Sequence, residues 1–169
     1  MHGIMKIPYI SQTNSEYANY RFPVHSSATI ASYGSGIVST TMVLQYLTGE
    51  DIKVQDVATW ADNNGYFNGR GSKSTIFKAA AQNWKVGNVK VVSKDINAIK
   101  NALMNGRPVI SLQKSGIFTN NQQCIVLTGI DNNEKIHVNN PNGPNQDKTY
   151  STSEINSKAG NYYIFDAKK

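Results

Sequence analysis

One stretch decides the fold of this chain: residues 35–49, which read SGIVSTTMVLQYLTG. Its apolar residues recur every four positions, as in Val38, Met42 and Tyr46, and this period predicts an amphipathic helix. Gly49 follows the last of them and is a typical helix stop. The stretch therefore predicts a helix that begins at Ser35, a serine between two glycines.

The rest of the chain changes from a helical period to a strand period near Pro108. Further helices are predicted at 54–61, after a cap at Ser74, and at 96–103, whereas 12–34 is predicted as a long loop. The predicted strands are at 5–10, 88–92, 108–112, 123–130, 135–139 and 161–165, with a hairpin turn at 131–134. Helices that precede an antiparallel sheet define the α+β class. The whole chain, 1–169, is predicted as one domain.

The composition excludes a membrane protein and a protein held together by disulfides. The chain has 169 residues, of which 39% are hydrophobic, so it can bury a core without a metal or a disulfide. No apolar run reaches the length of a membrane-spanning helix, and the start lacks the pattern of a secretory signal, so we expect a soluble protein without a signal peptide. The single cysteine, Cys124, lies in a predicted buried strand, where we expect it to act as a small apolar residue.

The charge favours contact with anionic polymers without identifying one. Lysine and arginine number 17 and aspartate and glutamate 11, which gives a net charge of +6. Such a surface favours nucleic acid, acidic lipid or an anionic cell-wall polymer. The basic residues are scattered singly, however, so we expect no nucleic-acid partner. No histidine, cysteine or carboxylate set has ligand spacing, so neither a metal nor a cofactor is predicted.

Residues 29–49 resemble the nucleophile helix of papain-like cysteine peptidases. The resemblance is narrower to the branch of bacteriocin-leader peptidases and related bacterial or phage cell-wall hydrolase domains. Residues 103–110, 125–130 and 138–141 match the same branch, in the expected order. The resemblance implies a papain-like fold, with N-terminal helices packed on a mostly antiparallel C-terminal sheet. It also implies hydrolysis of peptide or amide bonds, in cell-wall peptidoglycan or in leader peptides.

The resemblance also implies four site residues. Ser35 stands at the position of the nucleophilic cysteine, and Gln123 at that of the histidine that acts as general base. Asn140 matches the residue that orients the base, although Asn139 beside it leaves the register open by one. Gln12 matches the glutamine of the oxyanion hole. Read from the residues alone, Ser35 is equally an N-cap and Gln12 an ordinary polar loop residue.

The two substitutions predict a very poor hydrolase. A serine hydroxyl is a weak nucleophile unless a base takes its proton, and the amide of Gln123 does not accept one near neutral pH. Loss of acid–base assistance alone typically costs ~10²–10⁴-fold in rate.

Three interpretations remain open from the sequence. The first is a papain-like peptidase domain in which these two positions were exchanged to give an inactive form. The second is a natural pseudopeptidase that binds a peptide, a cell-wall fragment or a protein partner. The third, an active serine hydrolase that uses His25 or His137 as the base of Ser35, is the least favoured.

Overall fold

The computed structural model describes residues 3–23, 26–67, 71–143 and 148–169. Their helices are α1 (Ile30–Tyr33), α2 (Ser35–Thr48), α3 (Val54–Asn63), α4 (Ile76–Asn83), α5 (Ile96–Met104) and α6 (Thr152–Ser157). Their strands are β1 (Val89–Ser93), β2 (Val109–Lys114), β3 (Gln122–Ile130), β4 (Lys135–Asn139), β5 (Thr149–Ser151) and β6 (Ala159–Phe165). None of the helices in these ranges is long and apolar enough to cross a membrane.

The strands form one sheet in the order β1-β6-β2-β3-β4-β5. Every neighbouring pair is antiparallel, which confirms the predicted α+β class. The predicted hairpin is confirmed too, since residues 131–134 join β3 to β4. Strands β1 and β5 lie at the two edges, and β3 lies inside the sheet with nearly every residue buried.

Helix α2 is the central helix and packs against β3. All residues from Gly36 to Leu44 are buried, including three hydroxyl residues, Ser39, Thr40 and Thr41. Small side chains on this face let the helix lie close to the sheet, and a Cβ added at Gly36 would lie 3.9 Å from Cys124 Sγ. The helix ends at Gly49, which adopts the left-handed conformation with φ 70°, as predicted.

The predicted strand at 5–10 is wrong. Residues 3–10 belong to no strand; their amide contact to the sheet is Met5 N–H to Thr128 O at 2.8 Å. Pro8 has no N–H to donate, which interrupts any ladder at this point. The segment instead crosses the end of β4, where the Asn139 side chain donates to Ile7 O.

Two local predictions differ at helix starts. Ser74 does not cap α4, because the residue before that helix is Thr75 and no side chain caps it. The loop predicted at 12–34 contains α1, which begins with a capping box between Thr29 and Ser32. A helix of four residues is too short to show a period, so the sequence did not indicate it.

Strand β5 and helix α6 were not predicted. They have three and six residues, too few for a repeat, but α6 carries a recognisable start signal. Ser151 Oγ accepts from Glu154 N–H at 3.1 Å, and Glu154 accepts from Ser151 N–H at 2.8 Å. This capping box was the signal that could have found the helix.

Candidate functional site

Ser35 is the first residue of α2, and Gly34 alone separates it from α1. A Cβ at Gly34 would lie 2.4 Å from Ile30 O, so only glycine fits between the two helices. Gly34, and not Ser35, is the N-cap residue. The alternative role of Ser35 as an N-cap is therefore wrong, and its side chain is free to face the sheet.

The Ser35 hydroxyl faces β3. Its Oγ accepts a hydrogen bond from the Cys124 N–H at 3.1 Å. The first turn of a helix also has N–H groups without an acceptor inside the helix, and these give the site a partial positive charge. The backbone N–H of Cys124, the residue that follows the base position, thus donates to the side chain at the nucleophile position.

Gln123 is buried at the start of β3 and contacts two of the other predicted site residues. Its Nε2 donates to Asn140 Oδ1 at 3.1 Å and to Gln12 Oε1 at 3.5 Å. Asn140 Oδ1 is further held by the Asn142 N–H at 3.0 Å. Gln123 therefore acts as a donor in this network.

The structure resolves the register that the sequence left open. Asn140 meets Gln123, whereas the Asn139 side chain points away and donates to Ile7 O at 3.1 Å. Tyr9, which the sequence did not indicate, fixes the backbone at this place because its hydroxyl donates to Asn140 O at 2.9 Å and to Gly143 O. These partners are more than 130 positions apart, so no local signal could have paired them.

Gln12 is 3% exposed and reaches the site from the N-terminal segment. Its own N–H donates to Pro141 O at 2.7 Å, and its Nε2 donates to Ala31 O at 2.9 Å. A primary amide has two N–H protons, so the bond to Ala31 O engages only one of them. The four predicted residues Gln12, Ser35, Gln123 and Asn140 thus lie in one connected region.

A cleft of about 750 Å³ opens at this region. Gln12, Ser35, Gly36, Gln123 and Cys124 form part of its wall. The volume lies in the usual range of ligand sites, about 300–1,000 Å³. Among the described residues that line it there is no histidine, carboxylate, lysine or arginine.

Cys124 lines the cleft without the properties of a nucleophile. Burial raises the pKa of its thiol to about 12, and the nearby Ser35 hydroxyl lowers it only in part. The thiolate, which is the reactive form, is therefore scarce at neutral pH. The predicted structural role of Cys124 fits this environment.

Among the described residues that line the cleft, none is a histidine or a carboxylate that could act as the base of Ser35. His137 lies on β4, and its Nε2 is 3.0 Å from Asp131 Oδ2, away from the cleft lining. His25 falls outside the described residues. Within those residues no cluster of three or more histidines, cysteines or carboxylates could hold a metal ion.

The fold and the placement of these residues define a papain-like cysteine peptidase scaffold: a helix whose first residue faces an inner strand, with a glutamine before the helix and an asparagine after the strand. The sequence profile of the Peptidase_C39 like family matches residues 4–168. The chain therefore belongs to the Peptidase_C39 like family.

Solved structures agree with this assignment. The chain is similar over 100% of both chains to a C39-like peptidase from Bacillus anthracis, with a TM-score of 0.65 and 13% identity. It is also similar to the peptidase domain of Streptococcus ComA, a bifunctional ABC transporter involved in a quorum-sensing pathway. That match has a TM-score of 0.59 and 16% identity, and covers 79% of this chain and 90% of that one. A search of curated proteins finds no match. The papain-like fold predicted from residues 29–49 is confirmed.

Proposed function

We propose that this chain binds a peptide segment in the cleft and does not hydrolyse it. The observation that carries the proposal is the hydrogen bond from Gln123 Nε2 to Asn140 Oδ1 at 3.1 Å. This bond orients the side-chain amide of Gln123, so that the residue at the position of the base acts as a hydrogen-bond donor. Ser35 then lacks the proton acceptor that a hydroxyl nucleophile needs.

The expected loss of hydrolysis is large. In enzymes of this kind the nucleophile and the base act as a unit, so removal of one costs about as much as removal of both. General acid–base assistance alone is worth ~10²–10⁴-fold. Cys124 cannot substitute for Ser35, because burial raises the pKa of its thiol to about 12.

The groups that would hold a peptide backbone are still in place. The N–H groups at the start of α2 and the remaining amide proton of Gln12 are donors for a peptide carbonyl. Both structural neighbours are described as peptidases, which supports a peptide as the ligand. The net charge of +6 suits a peptide from an anionic cell wall, and a leader-type peptide is the other source.

The test uses a phage-displayed library of random linear peptides on the immobilised protein. We expect enriched peptides that bind in solution and stay intact, by mass spectrometry, after a day with the protein. Gln12→Ala should weaken their binding because it removes a donor from the cleft. Gln55→Ala is the matched control, since Gln55 also donates one bond to a backbone oxygen but lies on α3, away from the cleft lining.

Two results would contradict the proposal: cleavage of the bound peptides, or the absence of any enriched peptide together with no response to purified muropeptides. Titration with muropeptides and with the enriched linear peptides separates the two sources of ligand. Stronger binding of muropeptides would assign the cleft to cell-wall stem peptides.

A further inference from the structure

A second, smaller cavity of about 310 Å³ lies between α4 and the β1 edge of the sheet. Thr75, which precedes α4, and Ala79 and Gln82 of α4 form one wall, at the spacing of one helix face. Val89 and Val91 of β1 form the other wall. We call this cavity the edge groove.

The edge groove continues from the cleft. Ser74 and Tyr163 line both cavities, so a chain that lies in the cleft can extend into the groove. Val91 pairs with Tyr163 across β1 and β6, which places the two side chains together on one face. The Tyr163 ring is fixed in place by Phe77, with ring centroids 4.5 Å apart.

The groove presents apolar surface to solvent. Val91 is 51% exposed although it is a large apolar residue on a strand. Strand β1 is an edge strand that pairs only with β6, so the backbone of this strand is covered on one side only. A ligand side chain that covers Val91 would remove this apolar surface from water.

The charge among the described residues that line the groove is positive. Lys78 lies on the exposed side of α4 and lines the groove. None of the ion pairs found among the described residues involves Lys78, and no described carboxylate lines the groove. A carboxylate placed beside the apolar side chain of a ligand would therefore find an unpaired ammonium group.

We propose that the edge groove binds a bulky apolar side chain of the peptide that occupies the cleft, and that Lys78 selects an acidic residue next to it. The inference rests on the function proposed above and adds the substrate class: an acidic–apolar peptide. It makes Val91 and Lys78 the residues that determine specificity.

The test measures the same enriched peptides on two groove variants. Val91→Ser should weaken the Kd by about tenfold, because the ligand side chain loses apolar contact. Lys78→Glu should weaken the Kd of acidic peptides by about fivefold. A fresh selection on this variant should enrich basic–apolar peptides. A reversal of charge preference is a result that mere destabilisation of α4 would not produce.

Matched controls lie elsewhere on the molecule. Lys148→Glu makes the same charge change before β5, at the opposite edge of the sheet, and Met104→Ser removes an exposed apolar side chain on α5. Both should bind as the unchanged protein does.

The outcomes separate the two proposals. If no peptide is enriched and muropeptides do not bind, the proposed function fails and this inference fails with it. If peptides bind but Val91→Ser and Lys78→Glu select the same peptides with the same Kd, only the edge groove is overturned. A dimer of the native chain that Val91→Ser dissociates in sedimentation would also overturn it, because a second copy would then cover the groove.

Discussion

Two side chains, Ser35 and Gln123, control the chemistry of the site at the scale of single residues. Ser35 keeps the position at the start of α2 and accepts from the Cys124 N–H. Gln123 keeps the link to Asn140. Neither side chain can carry out the proton transfer that a thiol and an imidazole at these positions would provide.

We predict that Ser35→Cys and Gln123→His restore a reactive thiolate only in combination. The single Ser35→Cys variant has a thiol without an imidazole and stays largely protonated near neutral pH, whereas Gln123→His alone places a base beside a hydroxyl. In the double variant, ion pairing with the imidazolium should lower the thiol pKa from about 8.5 towards the 3.5–7.5 range of activated cysteines. Iodoacetamide at pH 6 should then alkylate residue 35 at least about tenfold faster than in Ser35→Cys.

Cys124 is the internal control for this experiment. Its buried thiol, with a pKa raised to about 12, should remain unmodified in every variant until the protein is unfolded. Equal alkylation rates at residue 35 in the single and double variants would show that the site can no longer form the ion pair.

At the scale of elements, the end of α2 depends on the conformation of one residue. Gly49 has φ 70°, and a Cβ placed there would meet no atom within 4 Å. Gly49→Ala should therefore cost only the conformational penalty, about 1 kcal/mol of unfolding free energy measured in urea. Gly3→Ala is the control, because it also meets open space but has no positive φ. An equal effect of the two substitutions would contradict this account.

The β3–β4 hairpin should contribute a pH-dependent part of the stability. The Lys135 N–H and then the His137 side chain, both bonded to Asp131, hold the pKa of that carboxyl below its ordinary value. A lowered pKa means that the stabilisation is complete above the unfolded-state pKa, about 3.9, and is lost as pH falls through the folded-state value. The native protein should therefore lose more unfolding free energy from about pH 5 to pH 3 than Asp131→Asn does.

Asn at this position keeps an oxygen for the Lys135 and Asn133 N–H groups, so the comparison removes the charge and the Oδ2 contact to His137 but keeps the two backbone bonds. Parallel pH profiles for the native protein and Asp131→Asn would refute the prediction.

At the scale of the whole molecule, the N-terminal segment completes the cleft. Met5 N–H bonds to Thr128 O, the Asn139 side chain to Ile7 O, and Gln12 N–H to Pro141 O. A Cβ at Gly129 would lie 2.8 Å from Ile4 Cα, so β3 needs glycine where the segment crosses it. The position of Gln12 thus depends on contacts with the distant sheet.

We predict that Asn139→Leu releases this segment. It leaves the Ile7 carbonyl without its donor, which typically costs about 1–3 kcal/mol for a buried group. In the native protein the Gln12 backbone N–H is bonded to Pro141 O. In the variant its hydrogen exchange should accelerate, and peptide binding should weaken. Asn101→Leu on the exposed side of α5 is the control. Unchanged exchange at Gln12 in Asn139→Leu would show that other contacts hold the segment.

Elements that have a period and an end signal could be predicted from the residues alone. Helix α2 from Ser35 to the stop at Gly49, and strands such as β3, follow from local spacing. The papain-like resemblance came from the residue identities in 29–49 and in three further motifs. Short elements such as α1 and β5 escaped because, with four and three residues, they contain fewer than two repeats of their period. The extended residues before Gln12 were predicted as a strand because local pattern does not tell whether a partner strand exists.

The hydrogen bonds that connect the site residues come from the way the elements pack against each other. It selected Asn140 over Asn139, gave Ser35 the Cys124 N–H as its donor, connected Gln12 to Gln123, and formed the edge groove between α4 and β1. The residues that bond to each other here are separated by 17 to 111 positions. Periodicity fixes the direction of a side chain within its own element, but a hydrogen bond requires two atoms within about 3 Å, and that distance is set by how the elements pack.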